Sequence, residues 1–265
     1  MKKFEGILFL TDLDGTLLRR DKSISEENLR AIEYFMAEGG LFSFVSGRAH
    51  VAMRKIYEKL RPNAPVGCLN GGGIYDFAQE KMLWSVTVPH NALKLAAFVD
   101  DALPEVGIEV FCEEHIYFSK INDYTEKHRN DEALPLLERN YRDVDEPITK
   151  ILFAAEERWM KPLATALATR PEAKEFNLVQ SDHTYYEILP LGIDKATSVL
   201  RLSELLGDRI HTVIAVGDND NDAPMLRAAD IGYAVANASP LTKSAADRHT
   251  VSNEEHAIAK IIAEL

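Results

Sequence analysis

Gly6-Ile7-Leu8-Phe9-Leu10-Thr11-Asp12-Leu13-Asp14-Gly15-Thr16 decides the fold. A short apolar run breaks abruptly into two carboxylates and a glycine. Ile7 to Thr11 suits a strand buried on both faces, the kind found in parallel sheets. If the chain stays extended, Asp12 and Asp14 point to one side. Like charges so close are unfavourable unless a cation or a shared proton relieves them. Gly15 permits a tight turn, and Thr16 can hydrogen-bond its own loop.

The pattern outward is strand, helix, strand. Ser25 to Glu38 predicts a helix, with Ser25 as N-cap, Glu26 and Glu27 in the first turn, and Gly39-Gly40 as the stop. Leu41 to Val45 predicts a second strand, Ala49 to Leu60 a helix ending before Pro62, and Val66 to Leu69 a third strand. The style returns near the C-terminus, with helices at 194–206, 220–228, 240–246 and 254–265 and strands at 211–216 and 231–235. Between them, strands at 108–111, 116–119, 150–154 and 185–189 mix with helices at 91–102 and 156–168. The expectation is an α/β protein: a doubly wound, Rossmann-like parallel sheet with an inserted α+β module. Residues 1–82 and 191–265 form the core and 83–190 the insert.

The chain has 265 residues, enough for one large domain or two modest ones. Forty-two acidic against 30 basic residues give a formal charge of −12, a field that repels nucleic acid and anionic membrane. An anionic substrate would therefore need local positive charge. Cys68 and Cys112 lie in or beside apolar runs, and no Cys-x-x-Cys pattern suggests zinc. No signal peptide and no membrane-length apolar run stands out, so the expected compartment is the cytoplasm.

In open parallel sheets, ligands sit beyond the C-terminal strand ends. Here those ends are Asp12, Ser46-Gly47-Arg48, Asn70-Gly71 and Gly217-Asp218. The run Gly217-Asp218-Asn219-Asp220-Asn221-Asp222 packs carboxylates and amides in a way that suits a hard cation; it lacks the Gly and distal Glu of an EF-hand loop. Ser46-Gly47-Arg48 can present a hydroxyl and N–H groups at a helix start, a natural phosphate seat. Lys195 at another helix start opposes the helix dipole, which asks for a compensating anion.

Asp12-Leu-Asp14-Gly-Thr16, Ser46-Gly47-Arg48, Lys195 and Gly217-Asp218-x-x-Asn221-Asp222 resemble, in order, the four motifs of haloacid dehalogenase-like phosphatases. The long insert resembles the C2B cap of the Cof-type subfamily. The resemblance spans the chain, with Ala196 standing where the family usually has Gly. It implies a Mg²⁺-dependent hydrolysis of small phosphate monoesters, sugar phosphates or similar, through an aspartyl-phosphate. Asp12 would be the nucleophile, and Asp14 the acid/base, protonated at first. Ser46, Gly47, Lys195 and Asn221 would hold the phosphoryl group. Asp12, the Asp14 carbonyl, Asp218 and Asp222 would serve the metal. Arg48, Asn70 and Gly71 are read as substrate contacts. The partner is then a small phosphorylated metabolite, and the protein a monomer or homodimer.

Two further readings stand beside this one. A phosphomutase of the phosphomannomutase type needs a second, Arg-rich phosphate site, and the insert's arginines form no compact cluster. A non-catalytic phosphate-binding module has no use for Asp14. A dinucleotide-binding oxidoreductase fails, because no Gly-x-Gly-x-x-Gly follows the first strand.

Overall fold

The computed structural model describes residues 2–265. The chain divides into two compact units. The first comprises Met1–Arg48, Arg54–Trp84 and Asp194–Leu265; the second comprises Ala49–Met53 and Ser85–Ile193.

The first unit opens with β1 (Ile7–Thr11), α1 (Glu26–Ala37), β2 (Leu41–Phe44), α2 (His50–Leu60, whose start is counted with the second unit), β3 (Val66–Cys68), β4 (Gly73–Asp76) and β5 (Lys81–Ser85). Ser25 caps α1 as expected, accepting from the Asn28 N–H at 3.2 Å. The second unit carries α3 (Ala92–Ala102), β6 (Gly107–Cys112), β7 (Ile116–Lys120), α4 (Asp123–Asp131), β8 (Ile148–Ala154), α5 (Met160–Ala168), β9 (Phe176–Asp182) and β10 (Tyr185–Pro190). The chain then returns to the first unit through α6 (Lys195–Leu206), β11 (Thr212–Gly217), α7 (Ala223–Ala228), β12 (Ile231–Ala234), α8 (Pro240–Ala245), β13 (Arg248–His249) and α9 (Ala257–Glu264).

The first unit's main sheet runs β13-β12-β11-β1-β2, all parallel. β1 lies between β2 and β11, with Phe9 beside Phe42 on one neighbour and Ile214 on the other. Leu8, Phe9 and Leu10 are fully buried, as a strand covered on both faces requires. Phe9 also meets Phe35 of α1 at 5.7 Å between ring centroids, so helix and sheet share one aromatic core. One expectation needs correcting. Val66–Cys68 does not extend the parallel sheet as a full strand. It touches β2's end only through a Val45–Gly67 bridge and pairs antiparallel with β4 in a separate sheet, β3-β4-β5.

The second unit's sheet runs β7-β6-β8-β10-β9 and is antiparallel. Ile108, Val110, Ile151, Phe153 and Ile188 pack with Leu95, Val99, Leu163 and Leu167 of α3 and α5. The alternate residues Glu109, Lys150 and Glu187 are buried too, and α4 brings His128 to Glu109. Among the described residues no helix is long and apolar enough to cross a membrane.

Candidate functional site

All the strand-end residues singled out in the sequence, from Asp12 to Asp222, lie in the first unit. β1 stops at Thr11, and Asp12 follows directly, fixed by its N–H to the Val216 carbonyl (2.9 Å). Its carboxylate accepts from Lys195 Nζ at 2.7 Å. The same ammonium donates to Asp222 Oδ1 at 2.5 Å and is 2% exposed. The anion that the helix-start lysine demanded is therefore a pair of the protein's own carboxylates. Burial alone would lower the Lys195 pKa, but Asp12 and Asp222 outweigh it and hold the ammonium above the ordinary lysine range. Asp194 N-caps α6 by accepting from the Ala196 N–H (2.9 Å). The close backbone approach here is made by Gly71: with φ +97°, it leaves a gap in which a Cβ would lie 1.8 Å from the Asp194 carbonyl oxygen.

β11 delivers Asp218. Gly15, at φ +85°, leaves room for it, since a Cβ there would lie 2.4 Å from Asp218 Oδ2. Thr16 turns its hydroxyl onto Asp218 Oδ1 at 2.6 Å instead of onto its own loop. Asp222 Oδ2 accepts from the Asp218 and Asn219 N–H groups (2.9 and 3.0 Å). With its other oxygen on Lys195, the Asp222 carboxylate braces the site from behind. Asp12, Asp218 and Asp222 each bring an oxygen within 4.8 Å of the others. Burial, then the Asp222 charge, raises the Asp12 pKa well above the carboxylate range and pushes Asp218 up to about 7. An all-oxygen cluster under such repulsion is what a hard divalent cation relieves, so these residues fit one.

Asp14 faces other partners. Arg48 grips both its oxygens, Nε to Oδ2 at 2.7 Å and Nη2 to Oδ1 at 2.8 Å. Lys22 Nζ adds a contact to Oδ1 at 2.8 Å. Burial would raise the Asp14 pKa, but the Arg48 hydrogen bond and charge, followed by Lys22, hold it well below the usual carboxylate range. While the guanidinium fork is in place it favours the ionised form of Asp14.

Ser46 is buried at the end of β2, its N–H on the Gly67 carbonyl and its hydroxyl accepting from the Arg48 N–H at 3.2 Å. Asn70 adopts the left-handed region (φ 53°), donates its N–H to the Ser46 carbonyl, and accepts from Asn221 Nδ2 at 2.9 Å. Against Gly47, an added Cβ would press on the Asn70 amide at 3.0 Å. The second, third and fourth strand-end segments are thus knitted together around Asn70. Sequence inspection missed Thr16's partner and Lys22 altogether. Lys22 carries no motif signal; only its placement on Asp14 singles it out.

The profile of the haloacid dehalogenase-like hydrolases matches residues 9–262. The 5-amino-6-(5-phospho-D-ribitylamino)uracil phosphatase YitU of Bacillus subtilis is 25% identical over 260 residues, 97% of this chain and 96% of that protein. The pyridoxal phosphate phosphatase YbhA of Escherichia coli is 26% identical over 271 residues, 95% of each chain. Among solved structures, a haloacid dehalogenase-like hydrolase from Bacteroides thetaiotaomicron superimposes with a TM-score of 0.85 at 28% identity, covering 99% of both chains.

Proposed function

Because this chain belongs to the haloacid dehalogenase-like hydrolases and is a phosphatase, we propose that it hydrolyses small phosphorylated metabolites in the cytoplasm through an aspartyl-phosphate on Asp12. The observation that carries this reading is the buried Asp12–Lys195–Asp222 constellation beside Asp218. It sets a carboxylate at a strand end, with one fixed cation and an oxygen cluster for another. The related phosphatases act on a phosphoribitylaminouracil and on pyridoxal phosphate, which supports a small, phosphorylated, polar substrate here. Residues 83–190 are then the cap that selects it, and 1–82 with 191–265 the catalytic core.

Asp12 attacks phosphorus in line, forming the Asp12–O–P bond as the ester P–O bond breaks. Released from the Arg48 fork, Asp14 takes up a proton from solvent and gives it to the leaving oxygen, then takes one from the water that cleaves the aspartyl-phosphate and frees inorganic phosphate. For the first step, the Arg48 fork must turn from Asp14 to the incoming phosphoryl group. Lys195, the Ser46 hydroxyl, the Gly47 N–H and Asn221 steady the phosphoryl oxygens. Mg²⁺, held by Asp12, the Asp14 carbonyl and Asp218 with Asp222 behind, would supply charge that keeps these carboxylates ionised and offsets their repulsion of phosphate.

Asp12→Asn should abolish phosphate release from para-nitrophenyl phosphate, by at least about a thousandfold, while far-UV circular dichroism stays that of the parent. Parent-like turnover in that variant would remove Asp12 as nucleophile.

A further inference from the structure

Two cations bind one carboxylate at Asp14, and they are unequal. Arg48 is bidentate with a side chain 9% exposed, while Lys22 makes a single contact and is 51% exposed. With Arg48 on both its oxygens, Asp14 is already oriented in this state, so orientation here does not account for Lys22. The backbone does not call for a lysine either. Residues 19–23 form a tight turn, closed by Arg19 N–H to the Ser23 carbonyl and Lys22 N–H to the Arg19 carbonyl (both 2.9 Å). Lys22 occupies its left-handed position at φ 63°, where Gly or Asn is favoured. A disfavoured conformation held by a long charged side chain aimed at a reacting group is a mark of function.

From this we infer that Lys22 is a specificity residue, binding a carboxylate that the substrate carries on the carbon bearing the phosphate ester. The inference rests on the reading that Asp14 meets the leaving oxygen. Lys22 Nζ stands one hydrogen bond from Asp14, so a group attached beside that oxygen comes within its reach. The four-carbon stem lets the ammonium swing without moving the turn. The partner it now holds, Asp14, is itself a carboxylate, so a substrate carboxylate replaces it like for like. Lys195 is committed to Asp12 and Asp222, and Arg48 turns to the phosphoryl group, which leaves Lys22 for charge on the leaving-group side.

2-Phosphoglycerate and glycerol 2-phosphate test this, since they differ only by carboxylate against hydroxymethyl at the ester carbon. Each is measured as a competitive inhibitor of para-nitrophenyl phosphate hydrolysis by the full chain with Mg²⁺. The parent is expected to bind 2-phosphoglycerate at least tenfold more tightly. In Lys22→Met the ratio of the two inhibition constants should fall to within about twofold of unity, and Lys22→Arg should restore most of it. A ratio unchanged in Lys22→Met, or a parent with no preference, overturns the inference while leaving the hydrolytic reading intact. A loss that falls equally on both inhibitors also overturns it, because Lys22 would then serve Asp14 alone. Turnover that survives Asp12→Asn removes the reading of the site, and the inference with it.

Discussion

A methyl group at Gly71 would collide with the Asp194 carbonyl, in a backbone conformation that L-residues resist. Gly71 therefore sets the distance between the third strand end and the start of α6, and through it the position of Lys195. Gly71→Ala combines about 1–2 kcal/mol of left-handed backbone penalty with about 1–3 kcal/mol of overpacking. Urea unfolding should show a loss of about 3 kcal/mol, with phosphatase activity falling as the Asp194 cap shifts. A loss below about 1 kcal/mol would mean that the loop relaxes and the close approach is dispensable. At this scale the sequence was partly legible. Asp12, Lys195 and Asp222 stand at strand or helix ends where buried charge demands a partner. Lys22 and the Arg48 grip on Asp14 were not legible, because an exposed lysine in a turn looks like any other.

Among the elements, those missed have an apolar pattern that is absent, short or interrupted. α4 reads Asp-Tyr-Thr-Glu-Lys-His-Arg-Asn-Asp and has no hydrophobic stripe; only the capping box of Asn122 and Thr125 betrays it. β9 is a half-exposed edge strand, and the β4–β5 hairpin hides behind Gly71-Gly72-Gly73. β1, β2 and β11, buried on both faces, were plain as continuous apolar runs. α4 earns its place through His128, whose Nδ1 lies 2.8 Å from Glu109 and whose Nε2 lies 3.3 Å from Glu132. Burial would lower the His128 pKa, but Glu132 and then Glu109 raise it to about 10. A histidine raised in the folded state stabilises fully below its unfolded pKa of about 6.5, and that stabilisation is lost as pH climbs toward 10. His128→Gln should destabilise the protein by about 3–5 kcal/mol at pH 6, and the deficit should shrink steadily by pH 9 to 10. Denaturant melts across that range decide it; a deficit independent of pH would assign His128 to packing alone.

For the whole molecule, chain connectivity separates the two units. β1 sits between β2, which precedes the second unit, and β11, which follows it, so neither flank can complete the parallel sheet alone. The second unit is different. Its hydrophobic cluster runs from Val88 to Ile188, its five strands pair only with one another, and only Ala49–Met53 joins it from elsewhere in the chain. A segment spanning Ser85–Ile193 should therefore fold by itself and melt cooperatively. The cation-ready carboxylates belong wholly to the first unit, so Mg²⁺ should act there. Ligand at a hundred times its dissociation constant stabilises by about 2.7 kcal/mol, enough to raise a melting temperature by several degrees. The full chain should accordingly melt higher with Mg²⁺ and lose both that gain and its activity in EDTA. The isolated Ser85–Ile193 segment should melt at one temperature in either buffer. Stabilisation of the segment by Mg²⁺ would place a cation site in the second unit. A full chain active and unshifted after EDTA would show that the Asp12–Asp218–Asp222 cluster works without a metal.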